Sequence, residues 1–564
     1  MGGLLLLILL AGFTLRVWHI DWADGQLPHP DERSTVAFYA PSIQMPPEGV
    51  SLLDKRQSPL NPLWNVQNQE RRSYTYGHFP LYLLVLTANL FHELAPLAER
   101  LGAAPDFVET LRMANGVPGF AVVGRLLMAI GDTFTVLFVY LLAERTYRRR
   151  NGRRAPWVGL LAAAFSAFTV LQIQLSHFFA VDPISTTFTA MALYGALRMA
   201  EGRRAEGSSQ ELASSAAPHP PASSAVPHPP ASSAAPQPPA SFAAPHPPAL
   251  SAVPHPPALS AVPHPLWYPP SPRWAIFTGI GAGLAIASKF SALPILAAPV
   301  AAAFLFWWQS RSAHASRFTL HALLSAALAL AVAVITFALT SPFAILDWAN
   351  FSLAVLTEQG AMVRGAADFP FTRQYRGTIP FIYQIEQLVR WGIGWPLGLL
   401  AFASFAWVLV KLLIGRARPG ELIILSWVVP YFVLTGLFLA KFMRYMVPVT
   451  PFLMVFAAGL IAAIWARSEG KERKREGEGQ RSEIGEPSTD HRSPITVHGS
   501  PITDHRSPIT VHGSPIADHR SPSTGSPLWR WLAAGLATVA LLGAVLWSLA
   551  YVNGVYNDTH PWIK

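Results

Sequence analysis

The sequence predicts an all-α, polytopic membrane protein, a bundle of about 11 transmembrane helices with a long first extracytoplasmic loop. Two observations lead there. Hydrophobic residues make up 51% of the 564 positions and charged residues only 13%, about half the share typical of soluble domains; the mean hydropathy is +0.31. Apolar runs such as 1–18, 157–171 and 320–340 approach or reach the roughly 20 helical residues that cross a hydrocarbon core of about 30 Å. The formal net charge of +10 would suggest nucleic acid in a soluble protein. Here Lys and Arg gather in short loops between apolar runs, where they set orientation, and nucleic acid is not expected as a partner.

Taken in order, the basic loops give a register. Arg148, Arg149, Arg150, Arg153 and Arg154 mark one cytoplasmic loop, and Arg198, Arg203 and Arg204 open a second. Arg311 and Arg317 mark a third, Arg416 and Arg418 a fourth, and the run from Arg467 to Arg475 a fifth. Spans are then predicted near 1–18, 124–145, 157–178, 183–199, 274–288, 291–309, 318–341, 394–412, 421–438, 447–466 and 528–551, with the N-terminus inside and the C-terminus outside. The first run lacks a basic leader and a small-residue cleavage site, so it is expected to be retained. His78 to Leu94 is apolar enough to cross. Crossing would invert every later loop unless Val117 to Val123 crossed too, so it is placed as a helix at the outer interface.

Two repeats interrupt the membrane pattern. Between Ser214 and Pro270 a Pro-His-Pro-Pro unit returns every nine residues, and between Ser488 and Pro527 an Asp-His-Arg-Ser-Pro unit returns every 14. Both are expected to be extended or disordered linkers, the first polyproline-like. The resulting division is a membrane part over 1–200, a cytoplasmic linker over 201–273, further helices and outer loops over 274–466, a second linker over 467–527, and a last helix with a short outer tail over 528–564.

The unusual polar residues fall at the outer ends of spans. The first loop carries His29-Pro30-Asp31-Glu32 and, later, Tyr76-Gly77-His78-Phe79-Pro80. The third span ends in Ser176-His177-Phe178-Phe179-Ala180-Val181-Asp182-Pro183, Lys289 sits between spans five and six, and Lys441-Phe442-Met443-Arg444-Tyr445 precedes span ten. Adjacent acids suit a general base or a hydrated divalent metal, because both need an ionised carboxylate facing substrate; solvated loop acids are the plainer alternative. Asp182, between two apolar runs, needs a wet or paired place, or else caps span four. Arg125 and Asp132, seven residues apart, share a helix face. Either they pair, or Arg125 meets an anionic headgroup while Asp132 is satisfied elsewhere. Lys289 and Arg444 could snorkel. Together with Arg125 they also supply the cations that a lipid-linked phosphate would need.

His29, His78 and His177 could join Glu32 or Asp182 around a divalent metal, but no His-x-x-x-His spacing supports one. There is no cysteine, so no thiolate site or nucleophile, and no P-loop, dinucleotide fingerprint or nucleophile elbow.

The order of these motifs resembles the GT-C superfamily of membrane glycosyltransferases, in particular the protein O-mannosyltransferase and lipid A aminoarabinose transferase group (glycosyltransferase family 39 type). The resemblance covers residues 12–466. It rests on Asp31-Glu32, on His78-Phe79-Pro80-Leu81-Tyr82, on Arg125-Leu126, on Ser176 to Pro183, on Ala287-Ser288-Lys289-Phe290-Ser291 and on Arg444 to Pro451. It implies an inverting transfer of a sugar from a polyprenyl-phosphate donor to an acceptor hydroxyl on a protein, lipid or glycan, at the extracytoplasmic face of the plasma membrane. By the same resemblance Asp31 is the base, Glu32 places the acceptor or a metal, and Asp182 is the second acid. Arg125, Lys289 and Arg444 are the donor-phosphate candidates, and His29, His78, Tyr82, His177 and Tyr445 the other substrate-binding candidates.

Two departures stand out. Gly77-His78-Phe79-Pro80 replaces the Glu-Lys-Pro of the lipid A enzymes, which argues against aminoarabinose transfer as such. The chain also stops at Lys564, where relatives continue into an extracytoplasmic domain. The rival reading is a transporter or flippase of a lipid-linked substrate, which would place its charges near the midplane and show an internal repeat.

Overall fold

A computed structural model describes residues 1–23, 25–148, 154–201, 203–204, 267–268, 271–310, 315–483 and 527–557. Both repeat tracts lie almost wholly outside these residues. What is described is almost entirely helical; the β pairing among these residues is confined to Trp64–Asn65 with Glu70–Arg71 and Arg203–Arg204 with Trp267–Tyr268, the last two residues being, with Pro527, the described part of the repeat tracts.

The long helices are α1 (Gly2–Val17), α3 (Phe79–Arg100), α5 (Val117–Thr146), α8 (Val181–Glu201), α9 (Pro272–Ser288), α10 (Ala297–Ser310), α11 (Ala315–Thr340), α12 (Trp395–Leu413), α13 (Pro419–Gly436), α14 (Thr450–Glu483) and α15 (Pro527–Val552). Shorter ones are α2 (Pro30–Ser34), α4 (Pro105–Arg112), α6 (Pro156–Ala167) and α7 (Val170–Ser176). Proline stands in the first turn of α2 to α6, α9, α12 and α13, where its missing N–H has no helical partner to lose.

Among the described residues eight helices are long and apolar enough to cross a membrane, nine if the pair α6 and α7, bent by 57°, is one span. The predicted count of about 11 is therefore not confirmed. Predicted spans 1–18, 183–199 and 274–288 form helices that are not among those eight. For α8 the reason is physical: nearly every residue is buried against other helices, so its serines and threonines need not match lipid.

The chain nevertheless runs back and forth between two ends. One end gathers Arg125, His177, Asp182, Lys289 and Arg444; the other gathers Arg145, Arg148 and Arg198 around Glu201 and Lys411 on Glu421.

Val117–Val123 is the opening of α5, not a separate crossing. α3 meets the length and composition of a span, yet its second half stays at the N-terminal end of α5. Asn115 Nδ2 donates to Asn89 Oδ1 at 3.4 Å, and Arg112 Nη2 reaches Glu99 Oε2 at 2.6 Å. A helix crossing to the other end would finish beside Arg145.

The break between α6 and α7 shows how the apolar interior accommodates polar groups. It frees helix carbonyls that need donors. Arg16 of α1 supplies them, with Nη1 donating to Ala167 O at 2.9 Å and to Gly12 O at 2.8 Å, while Nε pairs with Asp132 at 2.7 Å. Gln172 Nε2 donates to the other Asp132 oxygen at 3.0 Å. Asp132 thus pairs with Arg16, not with Arg125 on its own helix.

Candidate active site

The site is built where the first loop folds over the ends of α5, α8, α9 and the 443–446 turn. His29 caps the short helix α2, its Nδ1 accepting from Asp31 N at 3.3 Å. This sets Asp31 and Glu32 in the first turn, pointing to different partners.

Asp31 receives a hydrogen bond from Arg444 Nη1, and His29 Nε2 lies 3.5 Å from the same nitrogen. Both members of the ion pair are mostly buried, Asp31 with 11% and Arg444 with 18% of the side chain exposed. Burial alone would raise the Asp31 carboxyl. The Arg444 guanidinium, helped by His29 and by the Tyr76 hydroxyl, holds it below the usual carboxylate value. Burial works against the charge on Arg444, and Asp31 more than restores it, so its pKa lies above the ordinary value. His29 is pushed down, chiefly by burial, with Asp31 opposing.

Lys289, at the end of α9, donates to Asp182 Oδ1 at 2.6 Å. Asp182 lies in the first turn of α8 instead of capping it, and its buried Oδ2 has no partner among the described residues. Tyr445 joins the two pairs: Lys289 Nζ lies 4.9 Å and Arg444 Cζ 5.7 Å from its ring centre.

Glu32 and Arg125 are placed differently. Arg125 Nε and Nη2 donate to the two Glu32 oxygens at 2.7 and 2.9 Å, and Nη1 to the carbonyls of Ile20 and Trp22. Phe179 N donates to Glu32 Oε1 at 3.0 Å. Glu32 is fully buried and Arg125 nearly so. Every donor group of Arg125 and both Glu32 oxygens are committed to the protein, so neither faces the Asp31 and Asp182 cluster as a phosphate or acceptor ligand would.

The remaining candidates also lie to one side. His177 is buried between Ile173 O and Trp18 O, 2.9 Å from each, and stacks on Tyr556. Tyr82 donates to Leu60 O at 2.7 Å. His78 is fully buried beside Tyr74, Tyr82 and Phe351, with neither ring nitrogen bonded among the described residues. Its backbone matters more: His78 N donates to Ser341 Oγ at 3.1 Å, and Gly77 N to Ser288 O at 3.2 Å. The loop carrying Tyr76 to Asp31 is thereby sewn to the helix end carrying Lys289 to Asp182. A Cβ at Gly77 would overlap the Ala287 carbonyl and lie 3.0 Å from Ala287 Cα.

Tyr76 and Gly77 are site residues that sequence reasoning alone does not single out. The signal was there, a small residue between two aromatic ones before Pro80, but what a missing Cβ makes room for is visible only in three dimensions.

Among the described residues no group of three or more His, Asp or Glu could hold a metal ion. Asp31 and Asp182 each face a cation, which is what a carboxylate does when charge is balanced without a metal. Among the described residues these pairs leave no preformed divalent-ion site.

No family model matches the chain, and no curated protein matches it in sequence. Its shape is distantly similar to solved structures. ArnT from Cupriavidus metallidurans bound to undecaprenyl phosphate matches with a TM-score of 0.45 and 15% identity, over 98% of this chain and 75% of that one. The same enzyme in the apo state matches with 0.44 and 14%, over 99% and 75%. The archaeal oligosaccharyltransferase AglB from Archaeoglobus fulgidus, in complex with an inhibitory peptide and a dolichol-phosphate, matches with 0.44 and 12%, over 98% of this chain but 55% of its own length.

Proposed function

We propose that the chain is an inverting glycosyltransferase that moves a sugar from a polyprenyl-phosphate donor to an acceptor hydroxyl on the extracytoplasmic face of the plasma membrane. One observation carries this reading: two carboxylate–cation pairs, Asp31 with Arg444 and Asp182 with Lys289, meet around Tyr445 at one end of an apolar helical bundle. Inversion at the sugar carbon needs a base on the acceptor hydroxyl and cations for the departing phosphate. Asp31 is the base and Arg444 and Lys289 are the phosphate cations. Glu32 and Arg125 hold α2 against α5 and so aim Asp31.

The resting pairs suggest how donor binding prepares the base. A phosphate competes with Asp31 for Arg444. As the guanidinium turns to the phosphate, the influence that depresses the Asp31 carboxyl weakens and its basicity rises. The acceptor oxygen then bonds to the sugar carbon on the face opposite the phosphate, its proton moving to Asp31 as the bond between that carbon and the phosphate oxygen breaks and the charge on the leaving phosphate is met by Arg444 and Lys289. Asp182, with one oxygen unpartnered, is suited to accept a hydrogen bond from a sugar or acceptor hydroxyl.

The test is transfer by purified protein in detergent, from a polyprenyl-phosphate sugar to a soluble acceptor, with wild type and Asp31→Asn. Turnover without two compartments excludes simple transport. Asp31→Asn should lose about 10²–10⁴ in kcat while inserting and folding normally. Full transfer by the variant removes Asp31 as base, and no transfer by wild type with any polyprenyl-phosphate sugar removes the enzyme reading.

A further inference from the structure

The end of the bundle opposite the candidate site carries a second charged cluster that the proposed reaction does not use. Three guanidinium groups converge on one carboxylate. Arg145 Nη1 and Arg148 Nη2 each lie 2.9 Å from Glu201, and Arg198 Nε lies 3.5 Å from it. Arg154 joins through Glu144 at 3.6 Å. Among the described residues, four cations therefore stand against two anions in these contacts.

Positive loops at a membrane surface usually have solvated side chains, and these are unlike that. The Arg145 side chain is only 5% exposed, and its Nε, like that of Arg148, is buried without a hydrogen-bond partner among the described residues. Burial lowers the Arg148 guanidinium from its usual value; Glu201 opposes this, and Arg145, Arg154 and Arg198 add to it. Aromatic faces border the cluster, with Arg198 4.3 Å from the centre of the Trp274 ring and Arg145 5.7 Å from that of Tyr194. Arg418 packs alongside, its Nη1 donating to Arg148 O at 3.3 Å. Uncompensated cations with unused N–H donors, partly out of water, need an acceptor-rich anion.

The geometry points to a binding site for the phosphate of an anionic phospholipid, held by Arg145, Arg148 and Arg198 in the leaflet opposite the candidate active site. A phosphodiester brings the negative charge and the oxygens that these donors lack, and such lipids stand at high local concentration at this depth. The partly exposed Trp274 ring suits the headgroup boundary. The assignment is independent of the proposed reaction.

The experiment uses the full chain in detergent and counts bound lipid by native mass spectrometry, alongside thermal unfolding, with phosphatidylglycerol, phosphatidylcholine or inorganic phosphate added. Wild type should retain phosphatidylglycerol over phosphatidylcholine and unfold at a higher temperature with it. Arg148→Gln and Arg198→Gln, each at a partly exposed side chain, should each weaken phosphatidylglycerol binding about fivefold. Arg416→Gln, at an exposed arginine of the same end, should not. Equal retention of both lipids by wild type overturns the proposal even if a variant fails to fold. So does a loss in Arg148→Gln and Arg198→Gln no greater than in Arg416→Gln. Stabilisation by inorganic phosphate equal to that by phosphatidylglycerol would assign the cluster to a soluble anion and overturn the lipid assignment.

Discussion

Gly77→Ala tests the joint on which the candidate site depends. The added Cβ would fall inside the carbonyl of Ala287, a backbone group that has no rotamer to escape through, and its 3.0 Å approach to Ala287 Cα is itself tighter than most real Cβ contacts. To reach ordinary contact, the 76–78 segment and the 287–289 turn must part by about 1 Å or more. Either movement breaks one half of the site. If the loop moves, the Gly77 N to Ser288 O bond at 3.2 Å is lost and Tyr76 withdraws from Asp31. If the turn moves, Lys289 withdraws from Asp182. Overpacking of this kind costs about 1–3 kcal/mol of stability, and a displacement of about 1 Å at a reacting centre costs on the order of 100-fold in rate. The assay is sugar transfer in detergent, with thermal unfolding measured on the same preparation. The expected result is a folded, modestly destabilised protein with transfer reduced about 100-fold. Transfer within threefold of wild type would refute the claim that the loop and the α9 end are rigidly docked here.

Other outcomes follow from the same geometry. Glu32→Gln leaves Arg125 buried without its counter-charge, so it should destabilise the protein by about 3–5 kcal/mol, read as a lower unfolding temperature; an inactive variant of wild-type stability would return Glu32 to the substrate. Because Arg444 holds the Asp31 carboxyl below its ordinary value of 3.8, the acid limb of kcat/KM should lie below that value in wild type and move to higher pH in Arg444→Gln. The pair's contribution to stability is complete above pH 3.8 and fades as pH falls through the lower folded value, so the same variant should flatten the acid side of a stability profile. Lys289→Gln should weaken donor binding by more than acceptor binding, seen as a rise in donor KM; an unchanged donor KM would place the phosphate elsewhere.

Much of the site was legible because membranes punish stray charge. Asp31, Asp182, Lys289 and Arg444 stood out as ionisable groups at the ends of apolar runs, and the structure brings these four together. Glu32 and Arg125 stand out by the same rule, and the structure pairs them with each other instead, since burial with a bidentate partner and isolation beside a substrate look alike in one dimension. In the sequence Arg16 is only a charge near the end of the first apolar run. Its purpose, satisfying Asp132 and the carbonyls freed by the bend between α6 and α7, depends on a helix 150 positions away.

By itself the sequence determined which segments are apolar enough for long helices and which charges must find shelter, because these depend on local hydropathy and on the cost of bare charge in lipid. Only the tertiary structure decided the pairings: Asp31 with Arg444 across 413 positions, Asp182 with Lys289 across 107, Glu32 with Arg125 across 93. Helical periodicity says which face of a helix a side chain occupies, but not which helix comes to lie against it. That is set by close packing, as at Gly77 against Ala287, where the absence of one carbon permits the contact.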